Sequence, residues 1–242
     1  MSDDIQRIGG GFMFSREARE FAANAGVTDF LGAYTRGRGG VLGDVDADVV
    51  SAAFGFFEPG YLRRAWESTA ALPAAEAAEG YLVACQDFGR RKLAGFAESE
   101  RLAELLEAVV VAADPAGAAL FAGWRAMPLA ADAPARVLHL THALRELRGG
   151  LHLMAVLASG LTPLQAVLVK GSPLNAGSQQ AVWFGWEGPY EEIAPEVAGR
   201  WERAEALTNE LIDPAFAVLG AERGAELVTL VRACERVVFA GR

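Results

Sequence analysis

Between residues 134 and 170, in PARVLHLTHALRELRGGLHLMAVLASGLTPLQAVLVK, apolar side chains recur at Val137, Leu140, Leu144, Leu147, Leu151 and Met154. Steps of three and four put them on one stripe of a helix, the pattern of a segment that faces a core. Ser159-Gly160 reads as the stop of that helix, and Thr162-Pro163 as the cap and first residue of the next. Alanine, leucine and glutamate dominate the rest of the chain, and β-branched runs are few. The expected fold class is therefore all-α, a multi-helix bundle with a helix-turn-helix joint in its C-terminal part.

Capping residues and glycine stops place further helices at 15–25, 28–34 and 46–57, and from Pro59 and Pro73 onward. Others are expected at 99–112, 115–127, 193–219 and 221–239. Residues up to about Gly11 read as a loose arm. RGRGGVLGD reads as a glycine-rich loop in which Arg36 and Arg38 can flank an anion, although it has no Walker or dinucleotide spacing. A seam near residue 130 divides the chain into 1–130 and 131–242, and one intertwined domain fits equally well.

The formal net charge of the 242 residues is -9, the wrong sign for embracing nucleic acid over a broad face. From Gly160 to Ile212 there are three basic residues (Lys170, Arg200, Arg203) against seven acidic ones, so a DNA-reading helix there is disfavoured. Cys85 and Cys234 form neither a disulfide framework nor a zinc spacing. The first residues lack an export signal, and Asp114-Pro115 interrupts the most apolar region, so a cytoplasmic protein without a membrane span is expected.

On a helical wheel, the central helix carries two polar groupings beside its apolar stripe. His139, His142 and Glu146 have residue types that suit zinc, iron or manganese. They lie opposite the stripe, and no other histidine completes a set, so a solvated or locally bonded face is expected and no metal is assigned. Arg145, Arg148 and His152 flank the stripe. Two guanidiniums a turn apart suit a carboxylate or phosphate, and an imidazole can move a proton near neutral pH. An ion-pair network between helices is the competing reading. The aromatic block with Trp183, Phe184, Trp186 and Tyr190 can line a pocket for a planar ligand, fill core volume or make a dimer contact.

FMFSREAREF, GRGGVLGDVDADVVSAAFGFFEP, LRELRGGLHLMAVLASGLTPLQA, FGWEGPY and WERAEALTNELIDPAFAVL together resemble an actinobacterial family of helical proteins of unassigned function, labelled helix-turn-helix or SalK-like. The most specific piece resembles the pattern Leu-Arg-Glu-x-Arg-Gly-Asp-x-His, met by Leu144, Arg145, Glu146, Arg148, Gly149 and His152. Gly150 departs from it, standing where the pattern has aspartate. The resemblance implies a largely helical fold with a winged-helix-like C-terminal part, and no activity.

Three functions follow as expectations. The first is a small-molecule-binding protein, in which Arg145 and Arg148 hold an acidic ligand beside Trp183, Trp186 and Tyr190. The second is an enzyme of secondary metabolism that uses His152 as acid or base, with no cofactor specified. The third, disfavoured by charge, is a transcriptional regulator. The aromatic surplus suggests a homodimer for any of them.

Overall fold

A computed structural model describes residues 2–172 and 175–240 of the chain. The first half runs through α1 (Ser2–Gly10), α2 (Arg16–Asn24), α3 (Phe30–Gly39), α4 (Ala47–Phe54), α5 (Pro59–Ser68), α6 (Ala74–Lys92), α7 (Ser99–Ala112) and α8 (Ala119–Ala126). The second half contains α9 (Ala133–Ala158), α10 (Pro163–Lys170), α11 (Gly177–Trp183), α12 (Pro195–Ala217) and α13 (Gly220–Val238). Among the described residues there is no strand, so the all-α class holds and the helix-turn-helix part carries no β-wing.

Helix α9 is the axis of the molecule, packed against α1, α6, α7, α8 and α12. Its stripe is buried from Val137 to Leu151, while Met154 at the far end is 37 % exposed and covers Gly117. The main buried cluster draws on residues from Ile5 to Val238, on both sides of residue 130. No single helix among the described residues is long and apolar enough to cross a membrane.

The joint after α9 forms as the residues dictate. Gly160 takes φ +75°, Leu161 N–H donates to the Val156 carbonyl at 3.1 Å, and Gly160 N–H donates to the Leu157 carbonyl at 3.0 Å. These are the two bonds of a Schellman stop, and its apolar contact is present, since Val156 and Leu161 share a small second core with Ala166 and Ala204. Thr162 and Gln165 then close a capping box on α10, and Pro163 occupies its first turn. The chain turns by 108° between α9 and α10.

Three local expectations fail. Residues 2–10 are a helix, not a loose arm, because Ile5 and Ile8 are buried against the core. The glycine-rich stretch forms the end of α3 and a single 3-10 turn at Gly40–Leu42. Its glycines serve packing: a Cβ on Gly37 would come within 2.8 Å of a Tyr81 ring carbon, and one on Gly40 within 2.9 Å of the Ala78 nitrogen. Arg36 and Arg38 are buried there, so no open anion cradle exists. Finally, Asp114 accepts from Ala116 N–H at 2.9 Å in a turn, and Gly117 at φ +75° delays α8 to Ala119.

Candidate functional site

The polar side chains of α9 face neighbouring helices instead of water. His139, His142 and Glu146 are all at most 2 % exposed, so the expected solvated face is a buried one. The reason is the position of α9: with helices on every side, the face opposite its apolar stripe is also interior.

Glu146 is gripped by two guanidiniums. Arg38 of α3 donates to both carboxylate oxygens, from Nε at 2.9 Å and Nη2 at 2.7 Å, and Arg145 donates from Nη1 at 2.8 Å. Arg38 also donates to the Tyr34 hydroxyl at 2.8 Å and lies over the Phe54 ring. Burial alone would raise the Glu146 carboxyl, but the charges of Arg38 and Arg145 outweigh it and hold it at about 2. His142 stands 3.9 Å from Glu146 Oε1 within an edge-on cage of Phe12, Tyr81 and Trp124, and neither of its ring nitrogens has a hydrogen-bond partner among the described residues. Burial pulls it down to about 3, so it stays neutral. His139 Nε2 pairs with the Trp124 carbonyl at 2.9 Å and must be the donor, since a carbonyl only accepts. With Glu146 taken by arginines, these three do not converge on a cation, and no group of His, Cys, Asp or Glu among the described residues forms a metal-binding set.

Two residues further along α9, Arg148 donates from Nη2 to Glu205 of α12 at 2.9 Å. His152 Nδ1 lies 2.9 Å from the Thr208 hydroxyl, whose own proton goes to the Ala204 carbonyl at 2.7 Å. That proton is committed, so Nδ1 carries the N–H and Nε2 is left as the bare acceptor. Phe56 stacks on the imidazole at 5.7 Å and Trp201 meets it edge-on at 5.1 Å. Burial lowers His152 to about 4 against the opposing pull of Glu205.

These groups border a cleft with two adjoining lobes of about 540 and 580 Å³. Charged side chains of the first lobe are Arg38, Arg145, Arg148 and Glu146: three cations against one anion. Arg38 is held fully by Glu146 and Tyr34, whereas Arg145 Nη2 and Arg148 Nη1 have no acceptor among the described residues. Two guanidiniums thus keep N–H donors available beside a wall formed by Tyr34, Phe54 and Phe57. Gly149 gives this lobe its width, with nothing within 4 Å of an added Cβ. Gly150 has the opposite role, since a Cβ there would be 2.8 Å from Ala118, which leaves no room for the aspartate of the resembled pattern.

The expected cluster of Arg145, Arg148 and His152 is thus brought together, already half-matched by Glu146 and Glu205. The aromatic partners lie elsewhere. Trp183 packs at a tilt against Phe14 and Phe30, Trp186 Nε1–H donates to the Phe56 carbonyl at 2.9 Å, and the Tyr190 hydroxyl donates to the Trp186 carbonyl at 2.7 Å. None of the three lines either lobe; Phe184, packed against Phe57, does so instead. Phe184, Phe56 and Trp201 supply the aromatic wall. Sequence reasoning missed Arg38, Glu205 and Thr208 as members of the site; none shares a local pattern with α9.

A family model described as a helix-turn-helix family matches residues 1–189. The match contains α9, the joint and α10, and it ends before α12, which brings Trp201, Glu205 and Thr208 to the cleft. No curated protein and no solved structure matches the chain.

Proposed function

Since the chain belongs to this helix-turn-helix family, we propose that it is a cytoplasmic small-molecule-binding member of it, with an acidic ligand held in the first lobe of the cleft. The finer placement in a SalK-like actinobacterial group and the homodimeric state belong to the same proposal. One observation carries the reading: three guanidiniums face one carboxylate on a partly buried wall of a chain whose net charge is -9. Cations concentrated against the overall charge focus potential where an anion can enter, and Arg145 and Arg148 keep donors for it. Calorimetry with benzoate and phenyl phosphate tests it, with an Arg145→Gln variant beside the wild type. Binding that weakens about tenfold in the variant supports the site; acids that do not bind, or bind both proteins alike, overturn it.

His152 would turn the same cleft into an active site by accepting a proton at Nε2. Its depressed basicity makes it a weak base, so turnover would need a proton already acidified by the neighbouring guanidiniums.

A second reading, a transcriptional regulator, draws support from the family and from the stapled and capped joint between α9 and α10. The excess of acidic residues in the chain that follows α10, from Glu187 to Glu210, argues against it. Retardation of duplex DNA at low salt, lost in a Lys170→Glu variant, would favour the regulator; no retardation removes it. Gel filtration decides the dimer.

A further inference from the structure

The chemistry of the cleft changes along its length, and that change describes a ligand. The first lobe carries an excess of two positive charges from Arg38, Arg145 and Arg148 against Glu146. The second lobe is balanced, with Arg7, Arg148 and Lys170 against Asp3, Asp4 and Glu205, and Phe56, Val167, Phe184 and Trp201 supply its large apolar surfaces. Gln6, Arg148, His152, Phe56 and Phe184 line both lobes and form the neck between them. A compact anion such as phosphate would satisfy the guanidiniums and leave most of roughly 540 and 580 Å³ to water. A ligand that fills such a cleft has to be long and unevenly polar.

We infer that the cleft takes an elongated acid built in three parts: an anionic head, a hydrogen-bond donor a few bonds away, and a flat apolar body. This rests on the reading of the first lobe as an acid site. The head meets Arg145 and Arg148. The body enters the second lobe, where Trp201 and Phe184 offer faces and edges that suit a planar ring. The donor, an amide N–H or a hydroxyl, faces His152 at the neck. Thr208 fixes the imidazole tautomer, so Nε2 is an acceptor that a ligand without a donor would cover and leave unpaired.

Calorimetry on the full chain with 2-naphthoylglycine, acetylglycine and N-methyl-2-naphthoylglycine tests all three parts. The naphthoyl compound should bind at least about tenfold more tightly than acetylglycine, and N-methylation should cost about tenfold. A Trp201→Leu variant should lose most of the naphthoyl advantage, read as the ratio of the naphthoylglycine and acetylglycine affinities. Equal affinities for naphthoylglycine and acetylglycine would overturn the two-lobed ligand and leave the acid site standing, provided benzoate still binds. Equal affinities for the N-methylated and unmethylated compounds would overturn the donor at His152. If neither these acids nor benzoate bind, the acid site falls with them.

Discussion

Glu146 answers two arginines from different parts of the chain, Arg38 at a separation of 108 residues and Arg145 next to it. Its carboxylate is buried with Arg38, while Arg145 reaches the cleft, so removing the charge strands Arg38 in the interior. Such a one-sided loss costs about 3–5 kcal/mol. Glu146→Gln is therefore expected to lower the urea midpoint sharply. Replacing Arg38 by Met in the same chain should recover part of the loss, because an apolar pair needs no compensation. Unchanged midpoints in the single variant would mean that the pair is not buried in solution. At this scale the sequence was half legible. Arg145, Arg148 and His152 could be grouped because steps of three and four on one helix are local geometry. Arg38, Glu205 and Thr208 could not, since their proximity depends on how α3 and α12 dock, and that is decided by the whole core.

Helix α1 shows how an element can be misread from composition. Gly9, Gly10 and Gly11 weaken helix propensity, which argues for a loose arm. In the fold, Gly9 is the point where α1 touches α9 backbone to backbone: an added Cβ would overlap the Thr141 carbonyl, whose carbon would be 2.8 Å away. The glycine that weakens the isolated helix is the one that lets it dock. Gly9→Ala should force α1 outward at a cost of about 1–3 kcal/mol, the usual range for overpacking. Because Gln6 of α1 lines both lobes, the same change should also weaken benzoate binding. A melting temperature equal to wild type would refute the close docking. The joint after α9 was legible for the converse reason. A Schellman stop, a capping box and a first-turn proline are set by residues within a few positions of each other, and docking did not have to be known. The glycine-rich stretch around Gly37 failed like α1, with packing glycines taken for loop glycines.

Across the whole molecule, the buried histidines and the arginine-held carboxylates all make acid destabilising. His139, His142 and His152 are each held below the ordinary histidine value, His142 at about 3 and His152 at about 4. The unfolded chain binds protons at these sites near pH 6.5, before the folded one can, so stability falls as pH drops below that value. His142 and His152 each contribute a slope of about 1.4 kcal/mol per pH unit between about pH 6 and 5, roughly 3 together, and His139 adds to it with the same sign. Glu17, held by Arg91, and Glu146 are at about 2 in the fold, so their contribution is complete above the ordinary carboxylate value and drains away below it. The two losses follow one another and share a sign. Against a net stability of about 5–15 kcal/mol, unfolding should set in between about pH 5 and 4. Thermal melts by circular dichroism from pH 8 to 4 should show a plateau above pH 7 and a steep fall below 6. His142 makes no hydrogen bond among the described residues and is caged by Phe12, Tyr81 and Trp124. His142→Phe should therefore keep the fold and make the fall shallower by about 1.4 kcal/mol per pH unit, the slope of the one proton removed. A wild-type melting temperature that is flat from pH 7 to 5 would show that these imidazoles are open to water, and the caged core around α9 would have to be redrawn.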